Sequence, residues 1–339
     1  INEAHRLTGV GNSSGGIVPK NGVTSICPSN DCKRLISGGA DGQVRVWAIS
    51  KGTQVMIASM KEHKGPVYAI AIKANDSQCI SASADGSCIL WALDGENAFV
   101  RINALFASNF FKAAAYHPDE SQLITCGSDR KVTYWDVANL QQIRILDGSN
   151  AEINSVSTNA SGTLFASGGA DKTIIIWTSK AEGILKFSHN DTIQCLSYNP
   201  ATQQLASATA GDFGLWSPEQ KSVAKHKVQS RILCMSWSGD GTTLALGHYS
   251  GLISLRDKQG AEKLTIRRDA PVWSLQWNPS RDEAGDALAV ACWDQTLSFY
   301  QLSGNQHNKD RKLGFDPCSL SYFGSGEYLV VGGSDRKCT

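Results

Sequence analysis

The chain has 339 residues, 32 Lys and Arg against 31 Asp and Glu for a formal charge of +1, 41% apolar residues, 32 Gly and nine Pro. Balanced charge without a basic block excludes the electrostatic footprint of a dedicated nucleic-acid binder, and no apolar run approaches the roughly 18 residues of a membrane span. The ten cysteines are scattered without a C-x-x-C pair, which argues against a zinc centre or disulfide framework and for buried thiols in a reducing compartment.

In chain order, β-branched runs alternate with Gly, Asp and Asn turns, the pattern of antiparallel strands. The clearest unit is 151–178, AEINSVSTNASGTLFASGGADKTIIIWT, and degraded copies fill the chain. Aligned on the Asp of its second turn, the copies fall at Asp41, Asp85, Asp129, Asp171, Asp212, Ser250, Asp294 and Asp335, spaced 44, 44, 42, 41, 38, 44 and 41 residues apart. Six positions on stands a large residue in Trp47, Trp91, Trp135, Trp177 and Tyr300, while Trp216 arrives two early. Eight copies near the ~40–45-residue period of a blade, with no sustained helical stripe, predict an all-β propeller of four-stranded antiparallel blades. Seven repeats are full and the eighth is truncated, over about 1–58, 59–103, 104–146, 147–186, 187–226, 227–266, 267–312 and 313–339, in one propeller. Runs such as VYAIAI make the inner strand a, CISASA strand b, SCILW strand c and polar tails such as QQIRIL the outer strand d.

The repeat resembles the WD repeat, whose dipeptide stands at Trp135-Asp136. That resemblance implies that a His before strand a, a Ser or Thr on strand b, the turn Asp and the strand-c Trp form a hydrogen-bonded chain stapling each blade. His63, Ser81, Asp85 and Trp91 complete the set. Ser37, Asp41 and Trp47 have only a distant His5; Thr125, Asp129 and Trp135 lack a His, as do Ser167, Asp171 and Trp177. Asp212 and Trp216 have His189 but Ala208 on strand b. With Val290 and Val331 at the Ser/Thr position, the later blades are expected to rely on packing and to be less rigid.

Longer runs divide the chain. NDCKRLISGGADGQVRVW, KEHKGPVYAI and FKAAAYHPDESQLITCGSDRKVTYWDV make residues 1 to about 160 similar to the second propeller of the cilia- and flagella-associated protein 52 family, whose implied place is the lumen of ciliary doublet microtubules. FASGGADKTIIIWTSKAEGILKFSHNDTIQCLSYNP, DFGLWSPEQKSVAKHK and FDPCSLSYFGSGEYLVVGGSDRK make residues from about 165 onward similar to the first propeller of the intraflagellar transport protein 122 family, a complex A subunit. A family seam is expected near 160–165. The Gly/Ser-rich LTGVGNSSGGIVPKNG ahead of Val23 reads as a flexible rim loop, and Ile1 to Ala4 as the segment that could complete the last blade.

No residue set prepares catalysis. His117-Pro118-Asp119-Glu120 puts an imidazole beside two carboxylates but reads as an exposed hairpin turn. Asp282, Glu283 and Asp286 lack the spacing of a calcium loop, and GVGNSSGG lacks the Lys-Ser/Thr of a phosphate loop. The Trp and Tyr residues read as blade core rather than a base-stacking platform. The expectation is a non-enzyme without cofactor or metal, working through its rims. Candidate rim residues are Lys61, Glu62, Lys64, Arg130, Lys131, Lys172, Asn190, Asp191, Arg267 and Arg268. Lys221, Lys225, His226 and Lys227 form a basic cluster that either docks on acidic tubulin or another subunit, or is a solvated blade edge that resists pairing. The resemblances imply a ciliary or flagellar scaffold in the cytoplasm, axoneme or transport train. Its partners would be other transport subunits or, alternatively, tubulin and neighbouring doublet proteins. A general adaptor, such as a ubiquitin-ligase substrate receptor, is a third reading; no nucleic-acid or membrane partner is expected.

Overall fold

A computed structural model describes residues 7–8, 22–50, 53–107, 110–117, 120–147, 149–159, 161–180, 182–219, 223–280, 287–334 and 337–338. Every element among them is a strand, and the strands form eight four-stranded antiparallel sheets. Seven are meanders of consecutive strands: blade 1 over 23–60, blade 2 over 67–106, blade 3 over 111–147, blade 4 over 153–188, blade 5 over 195–227, blade 6 over 232–267 and blade 7 over 272–312. The inner strands neighbour one another in a closed circuit, with Val23–Pro28 beside both Val67–Ile72 and Pro317–Tyr322.

Blade 8 is composite. Pro317–Tyr322, Leu329–Gly333 and Lys337–Cys338 are joined by Leu7–Thr8, in register Leu7↔Cys338 and Thr8↔Lys337. The closing strand therefore comes from inside the stretch read as a rim loop. Ile1 to Ala4, and residues 9–21, lie outside the described residues.

Strand b is enclosed by both neighbouring blades, so its side chains are small or apolar: LFASGG at Leu164–Gly169 is buried throughout. The outer strands meet water on one side and read polar, as in EKLTIR at Glu262–Arg267. The cores lie between blades because successive side chains point to opposite faces of a strand. Leu35 and Trp47 thus pack with Phe323 and Val330 of blade 8, whereas Ile36 and Val46 pack with Val67 and Trp91 of blade 2. Each fully buried Leu or Ile contributes about 1.5–3 kcal/mol.

Candidate functional site

Blade 2 shows what the repeat builds. His63, four residues ahead of strand Val67–Ile72, is buried. Its Nε2 lies 2.7 Å from Ser81 Oγ, which also accepts the Trp91 Nε1–H at 2.7 Å. Its Nδ1 lies 2.6 Å from Ser87 Oγ and 3.5 Å from Asp85 Oδ2. Ser87 donates to Asp85 Oδ1 at 2.5 Å, and Asp85 Oδ2 accepts the Lys64 N–H at 2.6 Å. His63, Ser81, Asp85 and Trp91 are thus brought together, with Ser87 as a fifth member. Burial depresses the His63 pKa, against the opposing pull of Asp85, and keeps the ring neutral. Burial alone would raise Asp85, but hydrogen bonds from Ser87 and the Lys64 backbone outweigh it and hold the carboxyl low.

The Trp–hydroxyl bond recurs from Trp47 to Ser37 at 2.9 Å, Trp135 to Thr125 at 2.7 Å and Trp177 to Ser167 at 2.9 Å. Asp41, Asp129 and Asp171 accept the N–H two residues on, at 3.1, 3.2 and 3.0 Å. What occupies the His position differs. In blade 4 it is Ser149, which donates to Asp171 Oδ2 at 2.9 Å. In blade 1 the buried Arg45 reaches Asp41 at 2.5 Å from strand c. In blade 3 it is Ala107. Its N–H bonds the Gly86 carbonyl, just as His189 N–H bonds Lys172 and Arg268 N–H bonds Gly251, so the backbone site is the same and only the ring is missing. Trp135 is accordingly only partly buried, while Trp91 and Trp47 are 1% and 4% exposed.

The second half of the ring rebuilds the chain from other groups. His189 Nε2 lies 2.9 Å from Ser207 Oγ and its Nδ1 2.8 Å from Asp212 Oδ1. The strand-b hydroxyl is therefore present, one residue before Ala208. Ser207 pairs with Gly214 as Ser81 pairs with Ile89, which sets Asp212 at the place of Ser87 rather than of Asp85. Burial depresses His189 too, opposed by its bond to Asp212. In blade 6, Arg256 stands where Trp91 does, opposite the second residue before the hydroxyl position. There His248 on strand b meets Ser254 Oγ at 3.2 Å and the Ser230 carbonyl at 2.9 Å, and Arg256 pairs with Glu262 at 2.6 Å.

In blade 7 the His position holds Arg268. It donates to Thr296 Oγ1 at 3.0 Å, to the Tyr300 hydroxyl at 3.2 Å and to both Asp310 oxygens at 2.8 and 3.2 Å; Ser298 also donates to Asp310 at 2.7 Å. The expectation that blades with a Val at the Ser/Thr position have only packing fails here, because the polar network has moved to strand c and the loop after it. Arg268 is likewise no rim contact: its side chain is 11% exposed.

Lys221, Pro118, Asp119, Asp282, Glu283, Asp286 and Asp335 lie outside the described residues. His117 is buried rather than exposed. Lys225 donates to the Ser188 carbonyl and His226 stacks on Phe213 at 4.9 Å, so of that cluster Lys227 is the exposed side chain without such a contact. Glu62 pairs with Arg101 at 2.6 Å and Lys172 bonds the Asn190 carbonyl at 3.0 Å, while Lys61, Lys64, Arg130 and Arg267 are exposed. No group of three metal-ligating side chains occurs among the described residues. Motif reading passed over a set of exposed aromatics at one rim: Phe106, Phe110, Tyr249 and Trp293, the last stacked on Trp273 at 4.9 Å. The signal was a large residue after strand b at Tyr249 and Trp293, where other copies have Ala40, Ala84, Ser128 and Ala170.

Comparison with known proteins bears on this frame. The family described as IFT122 first beta-propeller matches residues 111–339, and the WD domain, G-beta repeat, matches 15–48 and 54–92. Intraflagellar transport protein 122 homolog of Xenopus tropicalis is 56% identical over 227 residues, 66% of this chain and 19% of that protein. Its Danio rerio counterpart is 57% identical over the same length and shares. Cilia- and flagella-associated protein 52 of Chlamydomonas reinhardtii is 46% identical over 177 residues, 51% of this chain and 28% of that protein. The chain thus spans about a fifth of the length of its transport relatives. The first family match begins at Phe111 in blade 3, and shares of 66% and 51% exceed one whole chain, so the two similarities overlap.

Proposed function

Because the chain belongs to the IFT122 first beta-propeller family, built of WD repeats, we propose that it is a non-catalytic protein-interaction scaffold of the cilium, the propeller portion of an intraflagellar transport complex A subunit. The observation that carries this reading is the family match over 111–339, which takes in blades 3 to 7 and three of the four strands of blade 8. The geometry is consistent with it. Polar side chains that would be candidates for acid–base work, such as His63, His189 and Arg268, are consumed in blade staples. The free charges and exposed aromatics stand on the rims, where partners of a rigid ring make contact. Its partners are then other transport subunits, and its place is the cytoplasm and the cilium.

A second reading is favoured by the 46% identity to cilia- and flagella-associated protein 52: a luminal doublet protein contacting tubulin and neighbouring doublet proteins. Fractionation of ciliated cells carrying the tagged chain separates the two. The transport reading expects release with the detergent-soluble matrix and processive movement of the tag. Retention on salt-washed doublets would replace it with the doublet reading.

A further inference from the structure

We propose that a cleft on blade 3 is the docking site for an acidic protein segment that inserts one bulky apolar side chain. The cleft follows from Ala107. In blade 2 the equivalent His63 fills the space beside Asp85, Ser87 and Trp91. In blade 3 the register-equivalent groups are Asp129, Lys131 and Trp135, and with a methyl group in place of the ring they border an open cleft of about 540 Å³.

The occupant follows from the walls. Phe106, 74% exposed, Ile145 and the uncovered side of Trp135 form an apolar part of a lining that is otherwise polar, with Ser128, Thr133 and Gln142 beside them, and a single hydrophobic anchor would seat against that part as interface hot spots do. The mouth is cationic: Arg130 is exposed with no ion-pair partner among the described residues, Lys131 stands beside it, and Asp129 is held by the Lys131 N–H. Arg130 and Lys131 face Asp129 and, across the strand pair, Asp147, so the pull on an acidic side chain of the peptide comes from the unpartnered Arg130. These cations are too few for a nucleic-acid backbone on a chain whose net charge is +1. Phe106 and Ile145 also stand near the ends of the neighbouring outer strands Arg101–Phe106 and Gln142–Asp147, so an extended segment can lie across both blades.

The inference rests on the scaffold reading only for its cellular setting, and its test needs none. Fluorescein-labelled nonapeptides of Glu and Asp around a central Phe or a central Ala are titrated into the purified chain by fluorescence anisotropy. The Phe peptide is expected to bind, and the Ala peptide about tenfold more weakly. Ala107→His, which refills the cleft beside Thr125, should cut Phe-peptide binding by at least about tenfold and raise the melting temperature. Arg130 holds a φ of +66° that favours glycine, so Arg130→Gly keeps the turn while weakening binding and flattening its salt dependence. Phe106→Ser serves if Ala107→His does not melt cooperatively. No Phe-peptide binding up to about 1 mM, equal binding of the two peptides, or binding unchanged by the cleft variants overturns the proposal. Failure of the fractionation experiment leaves these titrations untouched, and the reverse holds too.

Discussion

In blade 2 a neutral imidazole links two serines, a tryptophan and an aspartate; in blade 7 a guanidinium, fixed at the same backbone site, links a threonine, a tyrosine and Asp310. The strands and the spacing to strand a are alike, yet the hub of one network is a neutral ring and that of the other a charged guanidinium. The difference teaches that the ring conserves a place, set by the backbone between blades, and lets the chemistry that fills it change. Each chemistry carries its own sensitivity, and that gives four ways to break or sharpen the comparison.

The largest effect is expected from Arg268→Ala. It strands Asp310 and two hydroxyls, and losing such a set of charge-assisted hydrogen bonds at a partly buried site costs about 3 kcal/mol; faster amide exchange in strand Thr296–Tyr300, with blade 2 unaltered, would report it. His63→Ala comes next at about 2 kcal/mol, since Ser81 and Ser87 lose partners but no charge is left bare. Its exchange signature should stay in strands Gln78–Ser83 and Ser87–Ala92, and equal loosening of blade 7 would show that the blades are not independent.

Third is acid. Burial holds His63 and His189 below the unfolded value of about 6.5. The unfolded chain therefore binds the extra proton first, so the stability of blades 2 and 5 is full above about pH 6.5 and falls as pH drops toward the folded values. Asp310 is held low chiefly by its bond to Arg268, against burial. Its contribution persists above about pH 3.9 and is lost only as pH falls through the folded value. Amide exchange at pH 5 should thus loosen blade 2 before blade 7. The smallest effect is salt: from about 0.05 to 0.5 M NaCl the Arg268–Asp310 pair should weaken by a few tenths of a kcal/mol and the His63–Ser81–Ser87 network of blade 2 not at all.

Much of the architecture was legible because its signals are local. Period-two patterning places strands, and Gly-Asp turns space them, as in LFASGG-ADK-TIIIW. His63, Ser81, Asp85 and Trp91 were legible for the same reason. Ser87 was not, because a serine two residues past the turn Asp carries no signal until the ring nitrogen is seen beside it. Ser207 was lost because alignment on Asp212 assumed a turn of standard length, and only the pairing register shows the slip. Arg268 lay outside the hydroxyl–imidazole vocabulary, and its main partner, Asp310, sits in the loop beyond strand c. The closing strand was hidden for another reason: Leu7 and Cys338 meet across nearly the whole sequence, and two residues in a Gly-rich stretch have no periodicity to read.

That closing pair has a consequence for how the ring forms and fails. A linear stack of blades has two free ends, whereas a closed one has none, so releasing any single blade breaks two interfaces at once. The interface between blades 8 and 1 packs Leu35 and Trp47 against Phe323 and Val330. It also waits on the longest loop closure in the molecule, between Leu7–Thr8 and Lys337–Cys338. The circle therefore has a latch: the last contact made during folding and the first released by heat or tension.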